Sequence, residues 1–143
     1  ATLIEAAAEA SALLANKDEK AHALYGRNLG LSFQIIDDIL DITQDSATLG
    51  KPAMNDYVEG KCTLPYIYLY ENLQPSEQNK LVSLHAKELS EDEIIWIKEK
   101  MAKYKTIEKS FLLATKLSNE AMDIMKDDED LTNILQTMIK RSY

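Results

Sequence analysis

All four glycines of this 143-residue chain fall at positions 26, 30, 50 and 60, and the 83 residues from Lys61 to Tyr143 contain none. A stretch of that length without the residue on which hairpin turns most depend leaves little room for a β-sheet. Strong helix formers fill it instead: Leu, Ile, Lys, Glu, Met and Ala, with apolar positions recurring on a period near 3.6. The best strand-like alternation, Tyr66 to Tyr70, reads equally well as a helix opened by Pro65 in its first turn. The sequence therefore predicts an all-α fold, an antiparallel helical bundle joined by short turns.

The pattern places helices over Leu3–Ala15, Glu19–Asp45, Thr63–Asn72, Ser76–Lys87, Thr106–Met125 and Leu131–Arg141. A further helix runs from Ser90 to Tyr104, because Ser90-Glu91-Asp92-Glu93 has the spacing of a capping box. Residues 46–62 read as a loop around Gly50, Pro52 and Gly60. No internal repeat or interdomain linker interrupts the pattern, so residues 1–143 are read as one helical unit.

Charge narrows the function classes. Sixteen Lys and Arg against 24 Asp and Glu leave a net charge of −8, which argues against a general nucleic-acid binder, since a phosphate backbone calls for a basic footprint. No apolar run approaches the ~18 residues of a membrane span. The one cysteine, Cys62, excludes an intramolecular disulfide framework and a Cys-rich zinc site, and suits a reducing compartment such as the cytoplasm.

The informative segment is Gly30 to Ile42. On a helical wheel with Gln34 at zero, Asp37 falls near 300°, Asp38 near 40°, Asp41 near 340° and Arg27 near 20°, all on one roughly drawn strip. Leu29, Phe33, Ile35, Ile36, Ile39, Leu40 and Ile42 occupy the opposite arc and are expected to pack. An acidic strip is usually only the solvated face of an amphipathic helix. Here three carboxylates crowd within one turn, where like charges destabilise a helix unless a cation intervenes. Gly26 and Gly30 border the strip, each costing about 1 kcal/mol relative to alanine. Such a cost suits a face that another element or a ligand approaches closely.

Carboxylates spaced i,i+4, with no His or Cys nearby, form a hard-oxygen site for Mg²⁺, with Mn²⁺ the alternative. Mg²⁺ keeps several waters and binds through one or two carboxylates plus substrate phosphates, which points to a phosphorylated ligand. The following loop sets Lys51 and Lys61 beside Gly50 and Gly60, and lysine serves phosphate oxygens as a compact point charge. Trp96 is expected to pack. His22 and His85 lack partners at ligand spacing and read as surface or helix-end residues, and Asp127 to Asp130 reads as a solvated turn and helix start.

Phe33-Gln34-Ile35-Ile36-Asp37-Asp38-Ile39-Leu40-Asp41, followed by Gly50-Lys51, Asp56 and Glu59-Gly60-Lys61-Cys62-Thr63-Leu64-Pro65, resembles the second aspartate-rich region of trans-isoprenyl diphosphate synthases, most nearly the long-chain, octaprenyl type. The resemblance implies an isoprenoid-synthase fold and a prenyltransferase reaction: Mg²⁺-assisted ionisation of an allylic diphosphate, attack by isopentenyl diphosphate, and loss of a proton. It assigns Asp37, Asp38 and Asp41 to the metal. Lys51 and Lys61 would contact the diphosphate, and Gln34 would line the allylic site near the developing cation. It also implies a homodimer. The first aspartate-rich motif and the arginine pair of the family have no counterpart here, so the resemblance covers the C-terminal half of such an enzyme and implies no activity for that half alone. The alternative is a non-catalytic subunit or interaction module of a heteromeric synthase.

Overall fold

The computed structural model describes residues 1–44 and 54–140. Among them are eight helices and no strand: α1 (Thr2–Leu14), α2 (Glu19–Thr43), α3 (Asn55–Val58), α4 (Leu64–Asn72), α5 (Pro75–Leu84), α6 (Glu91–Tyr104), α7 (Thr106–Ile124) and α8 (Glu129–Lys140). The all-α reading holds throughout the described residues. The loop expected over 46–62 contains a helical turn, α3, too short for hydrophobic periodicity to reveal. None of the described helices is long and apolar enough to cross a membrane.

The chain forms two compact units, Ala1–Ile36 with Leu112–Tyr143, and Asp37–Phe111. In the first, Tyr25, Leu29, Ala121, Met125 and Leu135 build the core, with Ile4 and Leu131 packed against it. The Tyr25 hydroxyl donates to the Leu131 carbonyl at 2.9 Å. Asp18 accepts the Ala21 N–H at 3.0 Å and Asp128 accepts the Leu131 N–H at 3.2 Å, so each acid satisfies a donor left open at a helix start. The two helical glycines are explained within this unit. A Cβ on Gly26 would stand 2.7 Å from the Ile4 carbonyl oxygen and 2.8 Å from Ala8 Cβ, and one on Gly30 would stand 2.6 Å from Ala1 Cα. What approaches them is the α1 segment, not a ligand. The outer side of α1 leaves Leu3, Leu13 and Leu14 exposed.

The second unit is organised around Met54, Tyr57, Tyr66, Leu69, Ile97 and Met101, with Trp96 packed at the edge as expected. Tyr57 and Tyr66 stack with centroids 4.2 Å apart, and the Tyr57 hydroxyl donates to the Leu81 carbonyl at 2.6 Å. His85, read as an ordinary helix-end residue, does close α5, but it also sets its ring edge-on to Tyr57 at 5.0 Å. The capping box at Ser90 forms as the sequence indicates, with the Glu93 carboxylate accepting the Ser90 N–H at 2.8 Å.

Candidate functional site

The site is built within the second unit. Asp37 and Asp41, i and i+4 on α2, face a cavity of about 210 Å³. Leu40 and Gln44 complete that wall, and Asn55, Asp56, Glu59 and Lys61 supply the other.

Three backbone features hold the second wall in place. Met54, fully buried, adopts a left-handed φ of 62° just ahead of α3, and its N–H donates to the Asp41 carbonyl at 3.0 Å. Such a conformation in a non-glycine residue costs on the order of 1 kcal/mol and persists only where its surroundings over-determine it. The Asp56 N–H then donates to Asp41 Oδ2 at 3.2 Å, tying α3 to the acidic helix by a side chain as well. Finally Gly60, at φ 85°, ends α3. The Gly60 N–H donates to the Tyr57 carbonyl at 3.1 Å and the Lys61 N–H to the Asp56 carbonyl at 2.8 Å. This is the closure a left-handed residue permits at a helix end, and it folds Lys61 back toward the start of α3.

Lys61 consequently meets two acids. Its Nζ lies 2.7 Å from Asp56 Oδ1 and 2.9 Å from Glu59 Oε2. Asn55 Nδ2 donates to the other Glu59 oxygen at 2.8 Å, steadying that carboxylate. The hydrogen bonds to Asp56 and then Glu59 push the Lys61 ammonium pKa above its usual range. Burial pushes the Asp41 carboxyl up, against the lowering effect of the Asp56 amide. Beneath them Tyr66 is buried, its hydroxyl without a hydrogen-bond partner, and burial raises its pKa above that of an ordinary phenol.

Of the residues singled out from the sequence, the structure brings Asp37, Asp41 and Lys61 to one cavity. Asp38 is not among its lining residues and is 6% exposed, more buried than the polar strip of the wheel suggests. Its angle sits at the edge of the strip, where packing decides. Gln34 is exposed on α2 one turn before Asp37, in the first unit. Lys51 lies outside the described residues. Phe33, expected to pack, is 38% exposed. Sequence reasoning gave no role to Asn55, Asp56 or Glu59. The available signal was the spacing of Asp56 and Lys61 around Gly60, which a helix closed by a left-handed glycine brings together.

The donor set is all oxygen, which fits Mg²⁺ or Mn²⁺. Among the described residues no group of three His, Cys, Asp or Glu side chains is placed to hold an ion by itself.

The fold matches octaprenyl pyrophosphate synthase from Helicobacter pylori with a TM-score of 0.83 and 44% identity, over 94% of this chain and 45% of that one. It also matches polyprenyl synthase from Caulobacter crescentus, solved with calcium and isoprenyl diphosphate, at a TM-score of 0.75 and 29% identity, over 98% and 44%. This is the helical isoprenyl synthase fold. Residues 1–101 match the polyprenyl synthetase family, and the chain belongs to it. Among curated relatives, component 2 of heptaprenyl diphosphate synthase from Bacillus subtilis is 38% identical over 117 residues, 80% of this chain and 33% of the relative. The chain thus spans less than half the length of each of these three proteins.

Proposed function

We propose that the cavity between α2 and α3 is part of the diphosphate site of a trans-isoprenyl diphosphate synthase, which condenses an allylic diphosphate with isopentenyl diphosphate. The observation that carries this reading is the convergence of Asp37, Asp41 and Lys61 on one cavity in a chain of the polyprenyl synthetase family. The isoprenyl diphosphate and calcium in the Caulobacter relative support it.

In this reading Asp37 and Asp41 would hold Mg²⁺, which when bound would supply positive charge to a diphosphate leaving group whose own charge grows as the allylic carbon–oxygen bond breaks. Lys61 hydrogen-bonds a diphosphate oxygen, and Lys51 is assigned the same role. Gln34 lines the allylic side. The working enzyme is read as a cytoplasmic homodimer.

The test is a calorimetric titration of pyrophosphate into this chain with and without Mg²⁺, beside Asp37→Ala/Asp41→Ala. Binding that needs Mg²⁺ and is lost in the double variant supports the reading. Binding that survives the double variant refutes it.

A further inference from the structure

Lys61 is the only cationic side chain among the described residues that line the cavity, and four carboxylates line it with Lys61: Asp37, Asp41, Asp56 and Glu59. The lysine is already engaged, held at 2.7 Å by Asp56 and at 2.9 Å by Glu59. From these observations we infer that Asp56 and Glu59 determine the specificity of the site: by holding Lys61 between them, they make it accept a diphosphate only together with a divalent cation and turn away the free anion. The inference rests on the diphosphate reading given above.

A metal-free diphosphate entering the cavity would have to compete with two carboxylates for one ammonium while approaching two more, Asp37 and Asp41. Like charges at such separations disfavour the encounter even in a well-hydrated site. A divalent cation held by Asp37 and Asp41 would offset both of their charges, and it would offer the Asp56 carboxylate a stronger partner than a lysine. Lys61 can then leave: its side chain is 56% exposed, whereas that of Asp56 is 18% exposed and is anchored through its own N–H to Asp41. The flexible partner is the cation and the fixed partner is the acid, as such an exchange requires. Glu59, steadied by Asn55, adds a second hold on Lys61.

The test titrates pyrophosphate in EDTA, and again in Mg²⁺, into the unaltered chain, Glu59→Gln, Asp56→Asn/Glu59→Gln, and the last combined with Lys61→Ala. Neutralising both partners should strengthen metal-free pyrophosphate binding by about tenfold or more, because two ion pairs no longer occupy the ammonium. Glu59→Gln alone should give an intermediate gain, and Lys61→Ala should abolish it. Far-ultraviolet circular dichroism verifies that each variant is folded, and Glu59→Gln, exposed and outside the core, serves if the double variant is not. No gain in EDTA from a folded variant, while the unaltered chain binds Mg²⁺–pyrophosphate, overturns the inference and leaves the diphosphate reading standing. A gain in EDTA with no Mg²⁺–pyrophosphate binding by the unaltered chain supports the hold on Lys61 and overturns the diphosphate reading.

Discussion

The Asp56 amide donates to the Asp41 carboxylate at 3.2 Å, so the acid nearest the end of α2 is held by the backbone of the short helix that also carries the lysine's main partner. Asp41 is thereby oriented by one element while standing on another. It also carries a cost, because half-buried among other acids it holds its proton more tightly than a free carboxyl.

That cost makes Asp41 a site where stability and binding oppose each other. With its pKa raised in the folded state, chiefly by burial, the folded chain binds more protons than the unfolded one in the window just above the ordinary carboxylate value of 3.8. Ionised Asp41 therefore opposes folding at neutral pH, and the penalty fades as pH falls through that window. Asp41→Asn keeps an acceptor for the Asp56 amide and relieves the i,i+4 repulsion with Asp37. It should raise stability at pH 7 by about 0.2–0.5 kcal/mol, with the gain vanishing below roughly pH 4. Urea unfolding at both pH values measures it, and a loss of stability at pH 7 would contradict the assignment.

Gly26→Ala separates a packed helix face from a solvated one. On a solvated face, alanine would stabilise α2 by about 1 kcal/mol. Here the new Cβ would meet the Ile4 carbonyl at 2.7 Å and Glu5 Cα at 3.0 Å, both backbone atoms of α1. Overpacking of this kind should instead cost about 1–3 kcal/mol. The sign of the change in the urea midpoint decides between them.

The stacked tyrosines should respond in opposite directions. Tyr57→Phe removes the donor to the Leu81 carbonyl, leaving that carbonyl buried without its partner at a cost of about 1–3 kcal/mol. Tyr66→Phe removes a buried hydroxyl that has no partner in the fold and should be neutral or stabilising. Equal losses for the two variants, compared by chemical denaturation, would count against the hydrogen bonding described here.

The glycine-free stretch and the 3.6-residue pattern made the helices legible, and the i,i+4 aspartates made one wall of the site legible. Two things were hidden for physical reasons. The helix α3 has only four residues, so it owes its existence to the left-handed Met54 and Gly60 and to bonds with Asp41, which leave no periodic trace. Asp38 lies at the border of its polar strip, and a wheel resolves angle but not the neighbour that fills the space. Because the partners of Lys61 sit on α3 and just past its end, its engagement with Asp56 and Glu59 could not be read from an aspartate motif alone.

The central claim, that the cavity between α2 and α3 takes a divalent cation with a diphosphate, is tested most directly by paramagnetic broadening. With Mn²⁺ and pyrophosphate added to the isotopically labelled chain, the side-chain amide signals of Asn55 and Gln44, which line the cavity, should broaden first. The Asn72 amide, which donates to the Tyr68 carbonyl at 2.7 Å on α4 and is not among the lining residues, should remain sharp under the same conditions. Broadening centred on the other acidic run, Asp127 to Asp130, with Asn55 and Gln44 unaffected, would contradict the account.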